Sequence, residues 1–600
     1  MRKAFIGLIV AVSLSNSLVS CKKDSDVPAE KAAMQNADIR KIADNYYEQY
    51  LQFYPLEATA QGDKRYNNLL PNNISASFIS EEIAFYNSTR KQLKAIDYQR
   101  LDDDSKVIYD VLDNQLKDKI ERYAYHPQQI PFTQFGGLPL ELPVLGSGQG
   151  SQPFETEEDY QNWLNRMEAF PEWMNTAIEN FREGMKAGRV LPKKLVVRMI
   201  DQMRAPEIVT EDMERNIFFG PIRKIPSDFT PLQKNKYNQL YRAAIANSII
   251  TSYNKMADFL EEEYLPAARN SDGYNALPGG EEAYNYYVRS WTTTKRTPAE
   301  IHKTGLEEVT RIRKEMEKVK TQVGFNGTLE EFLEFVRTDN KAMPYSTAKQ
   351  ITDAFHAILE KIEPRLSTMF SHTPKTGFEI RQTEKFREAS ASAEYIPGTP
   401  DGSRNGIFYI PIPDPKSFNV TGGMESLFLH EAIPGHHYQI SLQQENTSLP
   451  KFMRFGWIGA YGEGWALYTE SLGPELGLYI DPYQKLGALS DEMLRAVRLV
   501  IDTGIHTGQM TREQAIAYFL GNVAYDEAGA TAEVERYMAM PGQALSYKIG
   551  SMKIASLRAK YTKQLGSKFS LAGFHDAVLS QGCLPLDVLE RKMDNWSKKQ

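Results

Sequence analysis

Apolar residues recur at spacings of three and four along most of this chain, a period that commits it to helices. The stretch "TPAEIHKTGLEEVTRIRKEMEKVKTQVG" (297–324) shows the rule most fully. Thr297 is placed to cap, Pro298 suits the first helical position, and Glu300 closes a capping box. Ile301, Gly305, Val309, Ile312, Met316, Val319 and Val323 then form one buried stripe, and Gly324 suits the stop. "TEEDYQNWLNRMEAF" repeats the pattern with Thr156 and Asp159 at its start and Tyr160, Trp163, Leu164, Met167 and Phe170 inward. Strand signals are few. The best is "NGIFYIPIPDP" (405–415), where Pro411 and Pro413 restrict the run to a sheet edge. The Gly/Pro-rich stretch 131–154 reads either as a linker or as an ordered loop lining a cleft. The expected fold class is mainly α, in two helical halves with a small β element.

Hydrophobic residues make up 42% and aromatics 11%, enough for a large core. A net charge of −7 argues against a general nucleic-acid binder, whose affinity rests on basic surface. Residues 1–21 read as a targeting segment. Arg2 and Lys3 precede a short apolar run, Phe5 to Val12, too short to span a bilayer. Leu18-Val19-Ser20-Cys21 then resembles a bacterial lipobox, in which Cys21 is lipidated. The expected organisation is a signal peptide over 1–21, a polar tether over 22–36, and one catalytic unit over 37–600. The expected location is the bacterial cell envelope, with the chain held by its lipid anchor at the outer membrane on the periplasmic or surface side. Cys583, the other cysteine, reads as a buried structural thiol.

The chemistry concentrates in "FLHEAIPGHHYQ" (428–439), which holds three of the nine histidines. A zinc-binding helix of the H-E-x-x-H kind puts two histidines one turn apart with a glutamate base between them. Here Pro434 occupies the place of the second histidine, and His436 and His437 follow. In an unbroken helix His436 would be rotated away, and His437 would lie about 10 Å up the axis. Proline cannot donate to the carbonyl four residues back, so Pro434-Gly435 announces a distortion. A bulge over Ala432–Gly435 would return His436 to the face of His430, with Glu431 as base.

A third ligand is required. Zinc peptidases of the gluzincin kind take it from a glutamate on a second helix, and the "AYGEGWALYTESLG" stretch resembles that helix. On that likeness Glu463 is a ligand and Glu470 a partner of a ligating histidine. The apolar flanks of both glutamates favour burial, where an unpaired carboxylate is costly. In "RAVRLVIDTGIHTG", Arg498 and Asp502 read equally as an outer ion pair, while His506 at the helix end is a candidate for stabilising charge on the substrate. In "EVERYMAMPGQALSYKIG", Arg536 is a candidate substrate contact and Tyr547 a candidate donor to an oxyanion.

The blocks "HEAIPGHHYQ", "EGWALYTESLG", "DTGIHTGQMTREQAI", "PGQALSYKIG" and "FHDAVLSQGCLPLDVLE" together resemble the bacterial family called domain of unknown function 885. The likeness extends upstream through "DGSRNGIFYI" and "FYPLEATAQGD" and so covers roughly residues 40–600. It implies a fold similar to the helical zinc peptidases related to carboxypeptidase Taq and angiotensin-converting enzyme, with a deep channel and a metal on its floor. It implies His430, His436 and Glu463 as zinc ligands and Glu431 as base, with His437 as the competing ligand or a neighbouring contact. It also implies that "NGIFYIPI" pairs with an extended peptide. The expected function is a zinc-dependent peptidase, carboxypeptidase- or dipeptidase-like, acting on short peptides. The alternatives are a zinc hydrolase of other amides or esters, and a non-catalytic peptide-binding lipoprotein.

Overall fold

The computed structural model describes residues 26–383 and 392–600. Cys21, the signal segment and the start of the tether lie outside the described residues. The remainder of the expected tether is helical, because α1 runs Asp26–Phe53. Its first turns combine Pro28 with an Ala29–Ala33 stretch of strong helix formers, so polarity there does not mean an extended chain.

Both capping boxes form. Thr156 and Asp159 open α2 (Glu157–Lys186), and Thr297 and Glu300 open α3 (Pro298–Gln322). Ile301, Gly305, Val309, Ile312, Met316 and Val319 are buried along α3. Gly324 adopts a φ of 76° just past its end, a conformation that favours glycine. The 131–154 stretch is packed: Phe132 and Leu142 are fully covered, and a short helix spans Leu138–Gly146.

Three short strands form one sheet: β1 (Phe378–Gln382), β2 (Glu394–Ile396) and β3 (Gly406–Ile410). The order is β1-β3-β2, parallel between β1 and β3 and antiparallel between β2 and β3. This corrects the edge assignment of "NGIFYIPI", since β3 is the central strand and both its edges are taken. Pro411 and Pro413 lie beyond the last paired residue, Ile410, so they interrupt no ladder bond.

Six further helices carry or surround the site: α4 (Met424–Glu431), α5 (His436–Glu445), α6 (Gly459–Glu470), α7 (Pro482–His506), α8 (Glu527–Ala539) and α9 (Ser546–Leu565). Helices α6 and α9 meet backbone to backbone. A Cβ on Gly464 would sit 2.6 Å from Gly550, and one on Gly550 would sit 1.8 Å from the Ala460 carbonyl oxygen. Gly305 plays the same part where α3 crosses α7, against Leu499 and Val500.

Buried side chains fall into two hydrophobic cores. One gathers Trp163, Phe170, Tyr253, Ile312, Met493 and Val497. The other gathers Tyr86, Leu112, Phe408, Phe428, Trp465 and Ile549. Helices α3 and α7 belong to both, with Ile301 and Leu499 facing the second core and most of their other apolar residues facing the first. Among the described residues no helix is long and apolar enough to cross a membrane.

Candidate metal centre

The H-E segment is a broken helix. Helix α4 ends at Glu431, and α5 begins at His436. The four residues between follow a sharp turn, with Ala432 at φ −103°, ψ −104° and Gly435 at φ −77°, ψ −130°. The expectation of a bulge within one helix is thus corrected to a break between two. Helix α6 fastens it from behind: Trp465 Nε1 donates to the Pro434 carbonyl at 2.9 Å, and Thr469 Oγ1 to the Leu429 carbonyl at 2.8 Å.

The break returns His436 to His430, their rings 4.8 Å apart and mutually perpendicular. Glu463 Oε2 lies 3.4 Å from His436 Nε2 and 3.8 Å from His430 Nε2. Donors about 2.0–2.1 Å from a common tetrahedral centre stand about 3.3 Å apart, so Glu463 Oε2 lies near the distance from each histidine that a shared ion would set. The carboxylate of Glu431 also approaches, since His430, Glu431 and His436 offer donor atoms within 4.8 Å of one another. Glu463 is also placed to serve as a third ligand, because one of its oxygens lies within 4 Å of both imidazoles.

The state of each group follows from its neighbours. His430 Nδ1–H donates to Glu470 Oε1 at 2.7 Å and directs Nε2 toward Glu463 and His436, where a cation would have to displace the Nε2 proton. Burial opposes a charge on His430, but the carboxylates of Glu463 and Glu470 outweigh it and lift its pKa to about 10. Burial also opposes the Glu463 carboxylate, yet the two imidazoles hold its pKa well below the usual carboxylate range. Buried carboxylates this close to two histidines have the chemistry of a cation site. His436 Nδ1 and Glu470 Oε2 are buried without hydrogen-bond partners. Burial raises the Glu431 pKa, with His436 and His430 opposing.

His437 points elsewhere. Its Nδ1 lies 2.9 Å from Tyr395 Oη of β2, its ring packs on Phe378 of β1, and burial lowers its pKa to about 4. Of the two candidate histidines, His436 therefore faces the cluster and His437 is a packing residue of the sheet. His506 is a second correction. Its Nδ1 accepts from the Tyr274 backbone N–H at 3.2 Å, its Nε2 bonds the Tyr537 carbonyl at 3.0 Å, and it is 1% exposed. Both nitrogens are used by backbone, so it has none left for a substrate.

Tyr547 and Arg536 come together. Arg536 Nη2 donates to Tyr547 Oη at 3.3 Å and to Gln543 Oε1 at 2.9 Å, and the Arg498 guanidinium lies 4.7 Å from the centre of the Tyr547 ring. Glu533 pairs with both arginines, so Arg498 belongs to an inner network and not to an outer face. Sequence reasoning passed over Arg495. It bonds Asp491 at 2.8 Å, lies 3.9 Å from Glu470, and closes a ring in which Ser426 of α4 donates to Asp491 at 2.6 Å. The signal was present in the four-residue spacing of Asp491 and Arg495, but nothing local showed which face of α7 turned inward. Trp457, 44% exposed with its ring 5.7 Å from His436, marks the open side of the cluster.

The profile of the family described as "Bacterial protein of unknown function (DUF885)" matches residues 55–593. The fold is similar to the crystal structure of the "putative lipoprotein" from Colwellia psychrerythraea. That match has a TM-score of 0.86 and 28% identity, and covers 94% of this chain and 100% of that one. It is also similar to a "putative lipoprotein of unknown function" from Shewanella oneidensis, with a TM-score of 0.71 and 20% identity, covering 92% and 99% of the two chains. No curated protein matches the chain. With the profile matched over residues 55–593, the chain belongs to the bacterial family of unknown function DUF885.

Proposed function

We propose that this chain is a zinc-dependent peptidase acting on short peptides. The observation that carries the reading is the spacing of His430 Nε2, His436 Nε2 and Glu463 Oε2 beside the buried carboxylate of Glu431. A zinc ion on those three residues would supply Lewis acidity, polarising a carbonyl and acidifying water. Glu431 takes the proton of the attacking water and passes it to the leaving amine, a role its raised pKa favours. Glu470 holds His430 in the tautomer that presents Nε2. Tyr547, steadied by Arg536 and Arg498, donates to the developing oxyanion. The two cores parted by α3 and α7 support, within the same reading, a zincin-like arrangement with the cluster on a channel floor and carboxypeptidase- or dipeptidase-like action. The likeness to the Colwellia protein supports a lipid anchor at Cys21 and a place in the cell envelope.

The test is metal content of the purified chain beside His430→Ala, followed by a peptide library with Glu431→Gln as control. About one zinc per chain, lost in His430→Ala, and cleavage lost in Glu431→Gln while zinc is retained are the expected results. A chain that binds no zinc when supplied with it overturns the reading. Cleavage of esters but of no peptide would move the activity to another hydrolase class.

A further inference from the structure

An aromatic-walled cavity of ≈ 440 Å³ lies against the first turn of α6, the helix that carries Glu463, and none of the cluster's residues lines it. Its walls include Tyr125, Tyr274, Tyr287 and Trp291, and Met540 and Pro541 close one end. The rings are braced by other rings: Tyr125 stacks on Tyr286 at 4.8 Å, and Tyr274 meets Tyr287 edge-on at 5.5 Å. The walls are therefore preformed. Arg189 and Glu282 bring one charge of each sign to the lining, so the space carries no bias toward a charged ligand. Its size and lining are those of a site for a small, largely apolar group.

Position ties the cavity to the cluster. A Cβ on Gly459 would lie 3.5 Å from the Trp291 ring, and Ser546 Oγ donates to the Trp291 carbonyl at 3.1 Å. Gly459 and Ser546 are the first residues of α6 and α9, the helices that carry Glu463 and Tyr547. Pro541 belongs to the loop between Arg536 and Tyr547, where a Cβ on Gly542 would lie about 3 Å from the Tyr287 backbone. From Gly459 to Glu463 the helix rises about 6 Å, the span of about two residues of an extended peptide.

We propose that this cavity receives an aromatic side chain of a peptide substrate, about two residues from the bond that is cut. The inference deepens the peptidase reading and rests on it for the register, while the cavity's choice of side chain can be read by binding alone.

The experiment uses tripeptides with free termini, all-alanine or with one phenylalanine at each position in turn, titrated calorimetrically into the full chain carrying Glu431→Gln. The expected result is binding at least about tenfold tighter for one phenylalanine position, the scale of burying one such ring. Ala124 is exposed on the cavity lining, so Ala124→Trp fills the space without disturbing a core. In that variant the tenfold gain should vanish while all-alanine binding stays unchanged. Equal binding of all peptides, or a phenylalanine gain that survives Ala124→Trp, overturns the proposal. In the active chain the same peptides should show the gain in kcat/KM with phenylalanine about two residues from the cut, and a gain only at the adjoining residue overturns the register. If no peptide is cut, the peptidase reading fails, and calorimetry still decides the cavity.

Discussion

Asp502 is fully buried and accepts from Tyr284 Oη at 2.6 Å and from the Gly542 backbone N–H at 3.0 Å. Burial pushes its carboxyl up to about 7 against the pull of those donors. A carboxyl raised in the folded state contributes stability that is fully present below its unfolded pKa near 3.8 and is lost as pH rises through about 7. Asp502→Asn should therefore gain on the parent between pH 5 and pH 8, by an amount on the order of 2–4 kcal/mol, read as unfolding midpoints at both pH values. A constant difference between the two proteins would refute this. Glu470 supplies a second prediction. Glu470→Gln keeps the shape but weakens the hold on His430 Nδ1–H, so zinc affinity measured against a competing chelator should fall at least about tenfold. The residues of the cluster were legible because H-E followed by two histidines is rare chemistry in one stretch. His506 was a histidine of the right type whose two nitrogens are taken by backbone, while His437, whose Nδ1 bonds Tyr395, was left open as the alternative to His436.

At the scale of the element, the question is how two helices can stand where one was expected. A Cβ on Gly435 would lie 1.9 Å from the His430 carbonyl oxygen and 2.3 Å from that of Leu429, so the chain can turn back there only with glycine. Gly435→Ala should cost about 1–3 kcal/mol in stability and displace His436, with zinc lost or bound much more weakly. Gly422→Ala is the control, since a Cβ there meets nothing within 4 Å. Unaltered zinc binding in Gly435→Ala would mean the break tolerates a side chain. The interruption was visible as Pro-Gly, but its form was not. Whether the four residues 432–435 swell a helix or divide it depends on Trp465 and Thr469, which bond the carbonyls that the break exposes. Helix α3 was read correctly at its caps and along six of the seven expected stripe residues, Val323 being a half-buried C-cap, because capping boxes and apolar stripes are local patterns.

At the scale of the molecule, Arg166 joins parts far apart in sequence. It is fully buried on α2, and its guanidinium donates to the carbonyls of Pro55, Tyr66 and Leu69, to Thr59 Oγ1 and to Gln152. Arg166→Met keeps the volume but strands those acceptors without donors, so a loss of about 3–5 kcal/mol is expected by urea denaturation. A loss below about 1 kcal/mol would mean that water replaces the guanidinium. Zinc binding should persist in this variant, since Arg166 bonds none of the cluster's side chains.

The sequence by itself determined the helical class, the caps, the buried stripes and the identity of the cluster's first residues, because each rests on contacts within a few residues along the chain. Only the tertiary structure decided that β3 is central, that His436 and not His437 faces Glu463, that Arg495 backs Glu470, and that the rings of 125, 274, 287 and 291 enclose one cavity. Those facts are set by which faces of distant helices and strands pack together, and that depends on the summed burial of two large cores rather than on any local pattern.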